Sequence, residues 1–252
     1  AAVIGQGNIR KSITRYTDDE GEEKASATLN YSADGLRIKT TTIFTYVDDV
    51  LKNYVTYRRA GASPTDSLDT TTLVYTQGNA TLKSTTYYTG DEGEEKAKVS
   101  FDYSSLGTIK TTTIFGYNTG DVLISSTVYR KVDPITGNVT NLDTLNFAQG
   151  TALIRSVSIY TGDEGEEKIY KTYNFSSDGL NIRTVTSYIY KADDATLWRV
   201  DTKRNTEHAT TQSATDPTAE IAAAEGALAG ASLRSETDYF GDEGEEKALV
   251  TR

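Results

Sequence analysis

The residues of this chain with the clearest chemical potential are carboxylates that recur in one short motif. Asp-Glu-Gly-Glu-Glu-Lys occurs four times in the 252-residue sequence, beginning at Asp19, Asp91, Asp163 and Asp242. Carboxylate oxygens are preferred ligands of Ca²⁺. The candidate calcium ligands are the aspartate and the second glutamate of each motif: Asp19, Glu22, Asp91, Glu94, Asp163, Glu166, Asp242 and Glu245.

A second interpretation of the acidic motif is a solvated hairpin loop. Its spacing fits neither the EF-hand loop nor the glycine-rich repeat of calcium β-rolls. The lysine that ends each motif also offers a local counter-charge. The pattern favours solvated loops, leaves weak Ca²⁺ binding open and indicates no other cofactor.

The sequence offers little for enzymatic chemistry. It contains no cysteine, which excludes disulfides and thiol catalysis, and one histidine, His208, within a polar segment. No nucleophile elbow, phosphate loop or dinucleotide fingerprint is present. A pair of catalytic carboxylates cannot be singled out, because every such pair recurs with the repeat. We therefore expect no enzyme.

Charge and hydropathy exclude two classes of partner. The net charge of −10 and the pI near 4.7 argue against binding to a phosphate backbone. No apolar run approaches the roughly 18 residues that a membrane span requires. We expect neither nucleic acid nor a membrane span.

The motif marks a long internal repeat. Its central glycines are Gly21, Gly93, Gly165 and Gly244, so the first two intervals are equal and the third is slightly longer. Aromatic residues before the turns, at alternating long and short intervals, divide each period into two related halves: Tyr31, Tyr75, Tyr103, Phe147 and Phe175. The sequence predicts one continuous array over 1–252, with units 1–72, 73–144 and 145–223 and a partial unit 224–252.

Strand patterns fill each half-repeat. Polar and apolar residues alternate over 36–46, and threonine-rich runs favour extended backbone. Asp34-Gly35 and Asp178-Gly179 follow such strands and are typical of hairpin turns. The prediction is an all-β fold of tandem antiparallel β-hairpin repeats, with a period of about 72 residues and two half-repeats in each.

Repulsion between the acidic loops distinguishes two ways in which the repeats could stack. In a narrow solenoid, equivalent acidic loops would lie about 4.8 Å apart and repel each other. In a hairpin meander the intervening strands separate them by roughly 20 Å, beyond the Debye length of about 8 Å. We expect an extended meander or a coiled ribbon.

The half-repeat resembles the tyrosine/aspartate-rich YD repeats of Rhs-type proteins. The likeness rests on an aromatic residue, a short turn and a glycine, as in 31–35, 103–107 and 175–179. The resemblance implies a long β-ribbon that coils into an extracellular shell or stalk, and therefore an exported protein.

The two ends of the sequence fall out of phase with the repeat, and no capping repeat is recognised. Exposed strand edges invite pairing with another chain. The residues expected at such edges are Ile9, Ile13, Tyr16, Leu249 and Val250. The leading interpretation is an exported structural protein that assembles head to tail with itself into an extracellular fibre, tube or sheath.

The alternative is a segment of a large cell-surface adhesin that binds glycan or protein. Such binding would involve the irregular segment 205–233, which breaks the repeat, or rows of tyrosines together with Trp198. Either interpretation places the protein outside the cell or on its surface.

Overall fold

The computed structural model describes eleven stretches of the chain. They are residues 9–59, 67–68, 75–76, 78–130, 135–136, 146–147, 152–179, 181–191, 196–204, 231–242 and 244–252. The predicted unit boundaries near residues 72, 144 and 223 lie outside these stretches, as do His208 and most of 205–233.

The described residues form eighteen strands. The first nine are β1 (Ser12–Thr17), β2 (Lys24–Tyr31), β3 (Ile38–Val47), β4 (Val50–Arg58), β5 (Ser67–Leu68), β6 (Tyr75–Thr76), β7 (Thr81–Thr89), β8 (Lys96–Tyr103) and β9 (Ile109–Tyr117). The other nine are β10 (Leu123–Arg130), β11 (Ile135–Thr136), β12 (Asn146–Phe147), β13 (Leu153–Thr161), β14 (Lys168–Phe175), β15 (Ile182–Tyr190), β16 (Leu197–Arg204), β17 (Ser232–Phe240) and β18 (Lys247–Thr251).

Fourteen of these strands form one sheet whose spatial order follows the chain. The order is β1-β2-β3-β4-β7-β8-β9-β10-β13-β14-β15-β16-β17-β18, and the short strands form two separate ladders, β5–β6 and β11–β12. The ladders are antiparallel, and no helix occurs among the described residues. The predicted all-β meander of hairpins is therefore confirmed.

The chain divides into two compact units, and the division falls within β9. The described residues up to Lys110 belong to the first unit, and those from Thr111 onward belong to the second.

Tight turns close the hairpins where the sequence predicts them. Gly35 N–H donates to the Ser32 carbonyl at 2.8 Å, and Gly179 N–H donates to the Ser176 carbonyl at 3.0 Å. Both glycines have positive φ, near 70°, a conformation that glycine adopts without steric cost. A Cβ at either position would also press against the backbone that crosses the turn.

Bulges interrupt the strict alternation that the sequence suggests. The ladder between β2 and β3 shifts register at Asn30/Tyr31, and that between β3 and β4 shifts at Thr45/Tyr46. A shift of one residue moves the following side chains to the other face of the sheet. Alternation counted from Leu36 therefore fails at the strand ends, and Leu36 itself lies exposed in the turn.

One face of the sheet carries the buried core in each unit. In the first unit it contains the buried residues Ala27, Leu29, Thr41, Val99 and Phe101. In the second unit the core consists of Tyr129, Ala152, Ile154, Val157, Tyr173, Phe175, Ile182 and Val185. We call this the core face.

The opposite face carries rows of hydroxyl groups that bond across neighbouring strands. In the first unit the Oγ1 atoms of Thr42 and Thr56 lie 2.9 Å apart, as do Thr86 Oγ1 and Ser100 Oγ. In the second unit Ser158 Oγ lies 3.0 Å from Thr172 Oγ1. Such cross-strand pairs stabilise the sheet and satisfy the threonine hydroxyls. We call this the hydroxyl face.

Candidate functional site: acidic loops and sheet edges

Each acidic motif forms a tight loop between two strands, and the loops share one backbone geometry. Glu94 N–H donates to the Asp91 carbonyl at 3.0 Å, and the equivalent bonds from Glu22, Glu166 and Glu245 have the same length. The glycine between these residues has positive φ in all four loops. The motif is therefore a folding unit, in which the glycine position requires left-handed backbone.

A second glycine belongs to the loop in three of the four repeats. Gly90, Gly162 and Gly241 precede the motif with φ between 120° and 134°. A Cβ on these glycines would lie 2.6 to 2.8 Å from a glutamate carbonyl oxygen of the same loop. Sequence reasoning missed this requirement, although a glycine before the motif is visible in three of the four copies.

The last glutamate of the motif has a structural role. Glu95 Oε1 accepts a hydrogen bond from Leu51 N–H at 2.9 Å, and its Oε2 accepts one from Gly93 N–H at 3.1 Å. The bond to Leu51 spans 44 residues and passes over the end of β7 to the start of β4. One carboxylate thus fixes both its own loop and the preceding hairpin.

The same contact recurs in the second unit. Glu167 Oε1 accepts from Leu123 N–H at 3.0 Å, and Glu246 Oε1 accepts from Leu197 N–H at 3.0 Å. We call Glu95, Glu167 and Glu246 the clamp glutamates. The predicted calcium ligands did not include them.

Hydrogen bonding favours the ionised form of two clamp glutamates, Glu95 and Glu246. Burial alone would raise the pKa of Glu95, but the bonds from the Leu51, Glu95 and Gly93 amides, with Lys24 nearby, lower this pKa below its ordinary value. The bond from Leu197 N–H is the main cause that lowers the pKa of Glu246. Beside Glu167, burial and then the carboxylate charge raise the pKa of Tyr117.

Arginines make a comparable contact at the opposite end of the strands. Arg58 Nη2 donates to the Tyr103 carbonyl at 3.0 Å in the first unit. Arg130 Nη2 donates to the Phe175 carbonyl at 3.4 Å in the second. Each contact spans 45 residues. The β4–β7 and β10–β13 junctions are therefore fixed by a glutamate at one end and by an arginine at the other.

The motif lysine contributes charge beyond its own loop. Lys24 Nζ lies 2.9 Å from Asp49 Oδ1 in the β3–β4 turn and 2.9 Å from Glu92 Oε1 in the next acidic loop. Hydrogen bonds to Asp49 and then Glu92 raise its pKa above the ordinary value. The predicted separation of roughly 20 Å overlooked the reach of these long side chains. Lys24, which ends the first acidic motif, therefore links that motif to the β3–β4 turn and to the second acidic loop.

The predicted calcium ligands lie in the loops at the ends of the strands, and all eight are exposed. In the described part of the chain, no three Asp, Glu or His residues converge in a way that could hold a metal ion. The motif carboxylates with described partners include the clamp glutamates and Glu92, and the prediction includes none of these. Calcium binding stays a prediction.

The residues predicted at the sheet edges are found on or beside the first and last strands. Exposed fractions are 59% for Ile9, 60% for Tyr16, 71% for Leu249 and 42% for Val250. Ile13 is half-buried on the core face opposite Leu29. Among the described residues β1 pairs with β2 alone, and β18 pairs with β17 alone.

The backbone of β1 presents donors and acceptors on its outer side. The Lys11 carbonyl accepts a bond from Tyr31 N–H at 2.9 Å, so Lys11 points toward β2. Alternate residues of an antiparallel strand point to opposite neighbours. Ser12 and Thr14 therefore direct their N–H and C=O groups outward.

The core face becomes charged in the last strands. Glu236 and Asp238 occupy the positions that Val157 and Ile159 hold in the preceding repeat, counted from the acidic motif. Arg199 Nη1 lies 3.1 Å from Glu236 Oε2, and its Nε lies 2.7 Å from Asp238 Oδ1. Arg252 also pairs with both carboxylates.

This charged network is a feature that the sequence analysis did not recognise. Its charged side chains stand at positions where the preceding repeat has apolar side chains that need apolar cover. The network lies on one face of the sheet and leaves the outer backbone of β18 open.

Aromatic residues of the hydroxyl face pack against one another. The ring centroids of Phe44 and Tyr54 are 5.9 Å apart with planes at 61°, and those of Tyr54 and Tyr88 are 5.8 Å apart at 48°. These angles indicate cross-strand packing and not a flat platform. Trp198 stands apart, exposed, with the Arg199 guanidinium 4.7 Å from its ring.

No family model matches the sequence, and no curated protein matches it. One similar solved structure is a protein of unknown function from Bacteroides fragilis, with 11% identity and a TM-score of 0.17, covering 71% of this chain and 94% of that one. Another is TcdB2–TccC3 without its hypervariable C-terminal region, with 8% identity and a TM-score of 0.22, covering 95% of this chain. The chain spans only 14% of that structure's length.

At these TM-scores neither likeness bears on function. The described residues also contain no helix of the length and apolarity that a membrane crossing needs.

Proposed function

We propose that this chain is an exported structural protein that assembles with itself, by β-strand addition at its sheet edges, into an extracellular fibre, tube or sheath. One observation carries the proposal: a fourteen-stranded sheet ends on both sides in a strand with a single described partner. Main-chain groups on such edges pair readily with another strand.

The distribution of apolar side chains supports an interface at the outer edges of β1 and β18. Tyr16 on β1 and Val250 on β18 are exposed, whereas their equivalents on inner strands, Tyr88 and Val99, are half-buried and buried. Leu249 on β18 is exposed as well. Contact between two different edges is heterologous, and a heterologous contact that does not close produces a filament. The YD-type ribbon that the half-repeats resemble is the architecture that we propose for it.

Sedimentation velocity over a wide concentration range tests this proposal. The chain should form larger species as concentration rises, and Thr14→Pro should suppress them because proline removes an outward N–H from β1. Thr14→Ala is the matched control, since it also loses the Thr14–Thr28 hydroxyl contact of 3.1 Å but keeps the N–H. A chain that stays monomeric throughout contradicts the proposal.

A further inference from the structure

Basic side chains of the sheet are segregated from the acidic loops. Acidic loops follow the ends of β7 and β13, whereas Lys83 and Arg155 lie near the starts of the same two strands. Lys39 on β3 and Arg183 on β15 also lie near the strand start, at the end away from the acidic loops. All four side chains are exposed. A chain with a net charge of −10 thus presents cations at one end of its strands.

Bulges place these cations on the hydroxyl face. Ile154 and Val157 both belong to the core of the second unit. Arg155 and Ser156 lie between them and stand opposite Val128, because a bulge adds one residue to β13 at this point. Successive side chains of a strand point to opposite faces, so Arg155 and Ser156 both point away from the core.

The same bulge recurs at the other three cations. Arg183 is the added residue between Ile182 and Thr184 in the ladder of β15 with β14. In the first unit Lys39 is the added residue in the ladder of β3 with β2, and Lys83 in that of β7 with β4. Four bulges therefore each present an exposed cation on the hydroxyl face.

Arginines of the intervening strands extend these positions into a row within each unit. Arg58 pairs with Thr40 and Thr81 on the strands beside it, and so lies between Lys39 and Lys83. Neighbouring cations are separated by one or two strand spacings of about 4.8 Å. We call these the basic rows: Lys39, Arg58, Lys83 and Lys110 in the first unit, and Arg130, Arg155, Arg183, Arg204 and Arg234 in the second.

Few carboxylates accompany the basic rows in the described part of the chain. Asp102 lies on β8, between the strands of Lys83 and Lys110. Asp34 and Asp178 lie in hairpin turns at this end, and each accepts a hydrogen bond from a serine hydroxyl of its own turn. Cations therefore outnumber carboxylates along each row.

We infer that the basic rows bind an anionic polysaccharide, a linear sugar chain with carboxylate groups that crosses the strands along the hydroxyl face. Its carboxylates pair with the lysines and arginines, and its hydroxyl groups bond the Asn30, Thr40 and Ser84 side chains beside them. Charge complementarity to a line of closely spaced cations supports this partner. The inference goes beyond the proposed assembly, because it uses a face of the sheet and neither of its edges.

Two other polyanions fit the basic rows less well. Acidic loops of a second copy are partly neutralised, since Lys24 Nζ lies 2.9 Å from carboxylate oxygens of both Asp49 and Glu92. Single-stranded nucleic acids stack their bases on aromatic side chains. The described rings on the hydroxyl face near Tyr54 instead pack at an angle against one another. A carboxylated polysaccharide requires only cations and hydrogen-bonding groups.

Fluorescence anisotropy with labelled polygalacturonate tests the inference on the full chain, at a concentration where it sediments as a monomer. Saturable binding is expected, and it should weaken as the salt concentration rises, because exposed charges are screened. The fully methyl-esterified polymer has the same backbone without the charges. It should bind about tenfold more weakly, since several exposed ion pairs are lost.

Charge reversal in the row tests the residues. One exposed ion pair is worth up to about fivefold in affinity, so Lys39→Glu with Lys83→Glu should weaken binding by about tenfold. Lys39→Arg with Lys83→Arg keeps the charge and should bind as the unsubstituted chain does. Arg155→Glu with Arg183→Glu makes the same test in the second unit.

A matched control separates the row from the net charge. Lys203→Glu with Lys247→Glu changes the net charge by the same amount, and both side chains are exposed. Lys203 pairs with Val185 on the core face, and Lys247 ends an acidic motif. Binding of polygalacturonate by this variant should stay within about twofold of that of the unsubstituted chain.

Absence of binding at low salt, equal binding of the two polymer forms, or equal loss in the row and control variants overturns the inference. Tighter binding of single-stranded DNA, lost on the same Lys39 and Lys83 substitutions, would assign the rows to nucleic acid and overturn it as well. Sedimentation of the chain without polymer tests self-assembly separately, so failure of one proposal is distinguishable from failure of the other.

Discussion

At the scale of single residues, the acidic motif shows how one of its carboxylates binds backbone amides. The sequence singles out four equivalent loops, but it cannot say which glutamate has a partner. That partner is an amide 44 residues earlier for Glu95, and it becomes adjacent only after β7 is placed between β4 and β8. Local spacing alone cannot show such a contact.

The contact of Glu95 should contribute to the free energy of unfolding, and this contribution should depend on pH. Glu95→Gln should lower the free energy of unfolding by about 1–2 kcal/mol, since hydrogen bonds to a charged acceptor are lost. Because the folded-state pKa of Glu95 lies below its ordinary value, this contribution is present above the pKa of the unfolded chain and is lost as pH falls through the folded-state pKa. Urea unfolding at pH 7 and at lower pH measures both effects.

The matched control for that prediction is Glu94→Gln, a change at the neighbouring exposed carboxylate. It should leave the urea midpoint nearly unchanged at both pH values. Equal destabilisation by the two substitutions would contradict a specific clamp at Glu95.

Thr41 provides a second residue-scale prediction. Its side chain is fully buried, and its hydroxyl has no hydrogen-bond partner among the described residues. The equivalent residue two repeats later is Val185, also buried. Thr41→Val should raise the free energy of unfolding by about 1 kcal/mol, because an unpaired buried hydroxyl is removed. Thermal or urea unfolding measures the change.

Thr42 is the natural comparison, since it is adjacent in sequence and points to the other face. Its hydroxyl lies 2.9 Å from that of Thr56, so Thr42→Val should destabilise the protein. If both substitutions changed the free energy of unfolding in the same direction, the assignment of Thr41 to the core face and Thr42 to the hydroxyl face would be wrong.

At the scale of elements, the sequence predicts the strands better than it predicts their faces. Alternation and turn residues place β2, β3, β14 and β15 well, because these signals are local. The bulges are not visible in the same pattern, since they depend on how two strands match in length and twist. For this reason Thr41, and not Phe44, is the fully buried residue of β3.

The acidic loop itself supports an element-scale prediction. Gly162→Ala should destabilise the β13–β14 hairpin by about 3 kcal/mol or more, because φ is +120° and the new Cβ would lie 2.7 Å from the Glu166 carbonyl oxygen. Gly165 also has positive φ, but a Cβ added there would have no atom within 4 Å. Gly165→Ala should therefore lower the free energy of unfolding by only about 1 kcal/mol. Differential scanning calorimetry of the two variants compares these costs, and an equal effect would contradict the loop geometry.

At the scale of the whole molecule, the repeat predicts a meander whose neighbouring hairpins are joined by long connectors. The structure adds what the connectors alone do not provide: a glutamate and an arginine that fix both ends of the β4–β7 and β10–β13 junctions. It also adds a network of charged side chains on the core face of β16 and β17. The outer edges of β1 and β18 are the features that the proposed assembly uses.

Electron microscopy of the purified chain, over a concentration series with and without Ca²⁺, tests the assembly most directly. Filaments, tubes or sheaths with a regular axial repeat are the predicted result, and their absence in the Thr14→Pro variant would locate the contact at β1. Filaments that form only with Ca²⁺ would give the acidic loops a cation-binding role. Discrete single particles at every concentration, in both conditions, would contradict self-assembly through the sheet edges.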